Sequence, residues 1–165
     1  MRKVPIDTIA TALRDRIRSN AAGFNPDIMF ADLDEFWNLE TVGSNLQLPC
    51  VVVEFVQAEM QPTSRDVLQI EATYRLNYLC RVPDAGGKRS TLLAGTRYLA
   101  ELFTGSTGQT DTTNAYDGGL SLGESGIDQA QVVPIGITLN NSLAERAIGW
   151  GMVTVVVTLQ SYPGA

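Results

Sequence analysis

The chain has 165 residues, 44% of them hydrophobic, with a formal net charge of −6 and no histidine. That is enough apolar material for one domain with its own core, and no stretch approaches the run of about eighteen apolar residues that a membrane-spanning helix needs. The missing imidazole excludes Ser-His-Asp and Cys-His catalysis and histidine-ligated metal, while the acidic balance lacks the basic footprint of a nucleic-acid-binding protein.

In chain order, Ile6, Ile9, Ala10, Leu13 and Ile17 recur at three and four residues, with Arg14, Asp15 and Arg18 off that stripe. This is the pattern of an amphipathic helix. Pro5 suits its first turn, Asp7 and the pair Arg16 and Arg18 complement its dipole, and Asn20 to Gly23 supplies the stop. The basic start MRK leads into this helix rather than into the apolar block of a signal peptide, so cytosolic synthesis is expected. Residues 24 to 47 have no sustained period beyond one short turn over Asp34 to Asn38, and Phe24, Met29, Phe30, Phe36 and Trp37 there are expected to anchor a loop.

Leu48 to Met60 is apolar on both faces through Val51, Val52, Val53, Phe55 and Val56, which predicts a strand in the middle of a sheet. Gln61 to Asp66 reads as a turn, so this strand and the next form an antiparallel hairpin. From Val67 to Val82 the even positions Leu68, Ile70, Ala72, Tyr74, Leu76, Tyr78, Cys80 and Val82 make an unbroken apolar row, and the odd positions are mostly polar. A strand of that length spans roughly 50 Å at about 3.3 Å per residue. It is therefore expected to project past its own domain as a hairpin covered by a neighbour.

Residues 83 to 88 break the chain, and Leu92, Thr96, Leu99, Ala100 and Phe103 mark a second helix from about Arg89 to Thr104, ended by Gly105. Gly105 to Gly126 is polar and glycine-rich, a loop or arm expected to be mobile until a partner orders Tyr116, Leu120 and Leu122. Gln131 to Leu139 alternates through Val133, Ile135, Ile137 and Leu139, with Pro134 suggesting an edge position. Trp150 to Ser161 closes the series with Val153, Val155, Val157 and Leu159 on one face. The order α-β-β-α-β-β predicts a single α+β domain over 1–165: an antiparallel sheet of about four strands with two main helices on one face and a long projecting hairpin.

Chemistry-bearing groups are few. Cys50 and Cys80 fall in neighbouring strand segments and read as reduced core residues. Asp32, Asp34 and Glu35 form a solvated acidic turn without the further oxygen ligands of a calcium loop. Gly86, Gly87 and Lys88 precede a helix but miss the spacing of a phosphate loop. No catalytic residue, cofactor or metal is expected. Charge is unevenly placed, with five basic and two acidic side chains over 1–20 but nine acidic residues and only Arg65 over 27–71. Opposed patches of this kind let copies of one chain dock on each other.

The helix IDTIATALRDRIRS, the strand LPCVVVEF, the alternating strand VLQIEATYRLNYLCRV, the helix TLLAGTRYLAELF and the strand GWGMVTVVVTL, in that order, resemble the tail terminator (tail completion) proteins of long-tailed bacteriophages. The resemblance implies a structural, non-enzymatic virion protein that forms a ring, a homohexamer, on the head-proximal end of the tail tube. There it stops tube polymerisation and offers a surface to the head-tail connector or neck protein, with DNA passing only as cargo. Its partners are thus itself, the tail tube protein and the connector, with no membrane. Arg14 and Arg18 on the basic helix, Glu59, Met60, Gln61, Arg65 and Asp66 at the hairpin end, and Tyr116, Leu120 and Leu122 in the glycine-rich segment are the expected contacts between subunits. Another head-tail joint protein, whether a neck, connector or tube subunit, fits the same features. A small α+β ligand-binding module or enzyme is the more distant alternative.

Overall fold

The computed structural model describes residues 3–23, 29–30, 47–82, 89–104, 119–120, 122–123, 127 and 130–162. In order these form α1 (Ile6–Ser19), a 3-10 turn (Ala21–Gly23), β1 (Met29–Phe30), β2 (Cys50–Pro62), β3 (Leu68–Arg81), α2 (Arg89–Glu101), β4 (Gly119–Leu120), β5 (Ala130–Asn140), a second 3-10 turn (Ala144–Arg146) and β6 (Ile148–Ser161). The fold is α+β. One sheet runs β1-β2-β3-β6-β5-β4, its four long strands antiparallel throughout and its two outermost pieces only two residues long.

α1 follows its sequence signals. Ile9, Leu13 and Ile17 are buried, and the helix ends where Asn20 turns its side-chain amide back to the Arg16 carbonyl at 2.9 Å and Ser19 Oγ donates to the Asp15 carbonyl at 2.8 Å. The Asn20 bond satisfies a carbonyl that the last turn would otherwise leave open. The alternating row of β3 also behaves as its period requires: Ile70, Ala72, Tyr74, Leu76, Tyr78 and Cys80 share one core with Ile9, Leu13 and Ile17 of α1, Leu92 and Leu99 of α2, and Val153, Val155, Val157 and Leu159 of β6. Both helices thus lie on one face of the sheet.

Hydrogen bonds tie that layer together. Tyr74 Oη donates to the Ile6 carbonyl at 2.8 Å and Tyr98 Oη to the Asn20 carbonyl at 3.0 Å, while the buried Arg16 sends Nη1 to the Leu102 carbonyl at 3.4 Å, its guanidinium 5.7 Å from the Phe103 ring centroid. Placing a cation against the carbonyls that end α2 is favourable for the helix dipole.

Three sequence expectations change. β2 is not central: β1 covers its outer side only at Cys50 and Val51, and among the described residues nothing pairs with that side beyond them. Its doubly apolar start has another cause, a second small cluster on the reverse face formed by Cys50, Val52, Leu79, Leu143 and Ile148. The hairpin is long but does not project past its own sheet, because β6 pairs with β3 from Leu68–Ser161 to Arg81–Ile148. Nor is the whole of 105–126 a loop. Gly119 and Leu120 pair with Gln131 and Ala130 of the same chain, and Leu120 and Ala130 join Ile70 and Leu159 in the core, so the chain itself covers the far end of β3. Residues 105–118, 121 and 124–126 lie outside the described residues, as do the loop anchors Phe24, Phe36 and Trp37. Phe30 is placed, half-buried against the core.

Cys50 and Cys80 are buried and form no disulfide, one in each cluster, and so on opposite faces of the sheet. Burial pushes the Tyr78 hydroxyl up from 10.0 to about 12, with the neighbouring thiols adding to it, and the Cys80 thiol from 9.0 to about 11. Burial raises Tyr74 as well. Each group holds its proton more tightly folded than unfolded, so its contribution is complete below the unfolded value and is lost as pH rises through the folded one. Thermal midpoints are therefore expected to stay level up to about pH 9 and to fall through about pH 12. A midpoint unchanged across that range, with tyrosinate absorbance already developed, would show these side chains to be open to water.

Candidate functional site

The features that set this surface apart are the two outer long strands. On β2 burial stops after Glu54, and Phe55, Val56 and Met60 are 43%, 40% and 53% exposed. On β5, Val133, Ile135 and Ile137 are 55%, 61% and 43% exposed. Apolar residues that are scattered singly on a surface require no explanation, but three on one outer strand make that strand a candidate contact surface.

Local geometry sets two of them, Val56 and Ile135, outside the ladder. β2 is bulged between Phe55, opposite Tyr74, and Gln57, opposite Thr73, which leaves Val56 outside the ladder. β5 is bulged between Pro134, opposite Val155, and Gly136, opposite Thr154, which leaves Ile135 outside it. An extra residue reverses the inward and outward sense of the strand. Val133 and Ile137 consequently fall on opposite faces, so the alternating row through Val133, Ile135 and Ile137 does not lie on one side of the sheet. Ala130 and Val132 are the buried pair on this strand.

Beneath the β2 bulge a polar group spans three strands on the face opposite the helices. Trp150 Nε1 donates to Asn77 Oδ1 at 3.0 Å, and Asn77 Nδ2 donates to Glu54 Oε2 at 3.3 Å. Arg75 Nη1 lies 3.5 Å from the same carboxylate oxygen, which belongs to a side chain only 8% exposed. This network fixes β2 against β3 and β6 just where the strand emerges from the core. At the far end Glu59 and Glu71 sit directly opposite each other, both exposed, a like-charge pair that opposes hairpin stability slightly.

The expected contact residues divide. Glu59, Met60, Gln61, Arg65 and Asp66 are exposed at the hairpin end. Arg18 is exposed, paired to Asp15 at 3.5 Å, and both Arg14 and Arg18 lie over the Phe30 ring, 5.9 and 4.9 Å from its centroid. Leu120 is corrected: at 2% exposure it is a core residue of its own chain. Leu122 is half-buried against that core, and Tyr116 is outside the described residues. α1 packs against β2, whereas α2 packs against β6, β3 and β5. The basic helix and the exposed side of β2 consequently share one flank of the sheet, and β5 forms the other. Val133, Ile135 and Ile137 were missed because they alternate. The Pro-Ile-Gly at 134–136 was the available signal, since proline followed by glycine inside a strand marks a bulge.

Among the described residues no three of His, Cys, Asp or Glu gather closely enough to hold a metal ion; the acidic run Asp32, Asp34 and Glu35 and the Gly86, Gly87 and Lys88 turn lie outside them. No helix among the described residues is long and apolar enough to cross a membrane. What the arrangement offers is two apolar strand edges on opposite flanks of one sheet. Set against models of known protein families and against curated proteins, the chain matches none.

Proposed function

We propose that this protein is a structural virion subunit that forms a closed ring, a hexamer, at the head-proximal end of a long-tailed bacteriophage tail tube, ends tube growth there and presents a surface to the head-tail connector. The observation that carries this reading is the pair of unlike apolar edges, β2 and β5, on opposite flanks of the sheet. A ring built head to tail requires two different surfaces on every subunit, each fitting the other, whereas a simple dimer requires one. The α-β-β-α-β-β order and its resemblance to tail terminators supply the biological setting. With an acidic chain of net charge −6, DNA moving through the lumen meets few of the basic contacts that dominate phosphate affinity.

The test is a tube-growth assay. Tail tube protein polymerised in the presence of this protein is expected to give tubes that stop growing and carry one ring at one end in negative stain. Tubes of unchanged length without end density would sink the reading. A ring that binds connector but leaves tube growth unchanged would move the protein to the neck.

A further inference from the structure

We propose that copies of this chain join through continued sheet, the outer side of β2 in one copy lying antiparallel beside the outer side of β5 in the next. This rests on the ring reading and specifies its contact. Strand direction carries the argument. β2 is antiparallel to β3, β3 to β6 and β6 to β5, so across four long strands the two outer ones run in opposite directions. A second copy set beside the first in the same orientation therefore presents its β5 antiparallel to the first copy's β2, and the alternation continues without a break. A sheet with an odd number of long strands would not allow this. The occupant that fits each edge is accordingly the other edge of the same protein.

Three further observations favour this contact over a two-fold one. Joining β5 to β5 would cover Val133, Ile135 and Ile137 but leave Phe55, Val56 and Met60 in water, and joining β2 to β2 would do the reverse. The mixed contact covers both sets with a single kind of interface. β4 already occupies the outer side of β5 at Ala130 and Gln131, and from Val132 to Asn140 β5 carries no charged side chain to oppose a neighbour. The two bulges also stand at neighbouring levels, one on either side of the paired residues Tyr74 and Val155. Bulges ordinarily blunt an edge against indiscriminate pairing. Here the breaks on the two edges stand one residue level apart, so each edge best fits a partner interrupted close to the same place, which the other edge of an identical copy supplies.

The experiment blocks one edge at a time. Val56→Asp and Ile135→Asp change the exposed extra residues of the two bulges, and each variant is expected to keep its thermal midpoint within a few degrees. By native mass, wild type is expected as a ring and each variant alone as a monomer. An equimolar mixture of the two is expected as a heterodimer, because one retains β5 and the other β2. Should either aspartate lower the midpoint, Met60→Lys and Val133→Lys replace them on the same edges. A variant that alone still forms rings or dimers, or a mixture that stays monomeric, would overturn the edge contact while the wild-type ring stands. Wild type that is monomeric at every concentration would overturn the ring together with it.

Discussion

Leu76→Ala is expected to lower the free energy of unfolding by about 2 to 5 kcal/mol. Leu76 is fully buried and sits between Val53 of β2 and Val153 of β6, in the middle of the layer that both helices cover. Neighbouring strands cannot collapse into the vacated volume without losing their own ladder bonds, so the cavity term adds to the lost transfer free energy. Urea unfolding followed by circular dichroism reads the loss directly. Leu93→Ala is the control, since Leu93 is 46% exposed and its change is expected within about 0.5 kcal/mol. Equal losses at the two positions would place Leu76 outside the core.

Gly151→Ala is expected to cost about 1 to 3 kcal/mol through overpacking. α2 approaches the sheet over Gly149 and Gly151 of β6. A Cβ at Gly151 would run into the Thr96 hydroxyl and lie 2.9 Å from Thr96 Cβ, and one at Gly149 would lie 3.0 Å from Leu92 Cδ2. Thr96 cannot swing away freely, being fully buried with its hydroxyl donating to the Leu92 carbonyl at 2.8 Å. Adding Thr96→Ala removes the colliding hydroxyl and methyl, so the double variant is expected to regain part of the loss. Simple additivity would mean that α2 shifts as a body instead.

These two sites also mark how far the sequence could be read. Leu76 belongs to a row of period two whose inward sense nothing interrupts, and both helices showed their stripes, so element order, fold class and most of the helix-side core were legible. Gly149 and Gly151 were not, because a glycine whose purpose is close approach declares nothing about the element that approaches it. β1 and β4 are two residues each, shorter than any period can register. In β2, double-sided burial and central position leave the same composition; only the residues that fold back as the second cluster, Leu143 and Ile148, tell them apart. On β5 Pro134 shows an edge position in the sequence, but the inserted residue that splits Val133 and Ile137 between two faces lies behind a regular alternation, so which side chains that edge exposes was not legible.

The position of β6 bears on how the chain comes into being. It lies between β3 and β5 and pairs with β3 along all of Leu68–Arg81, yet it is the last of the described strands to leave the ribosome, separated from β3 by α2, β4 and β5. Until it emerges, the β2–β3 hairpin can form locally, but the inner edge of β3 stays open beside a row of uncovered apolar side chains. Closing a contact over that much chain is slow. The nascent protein thus passes through a stage with unsatisfied strand edges, in the company of other nascent copies, before its own final strand can fill the gap.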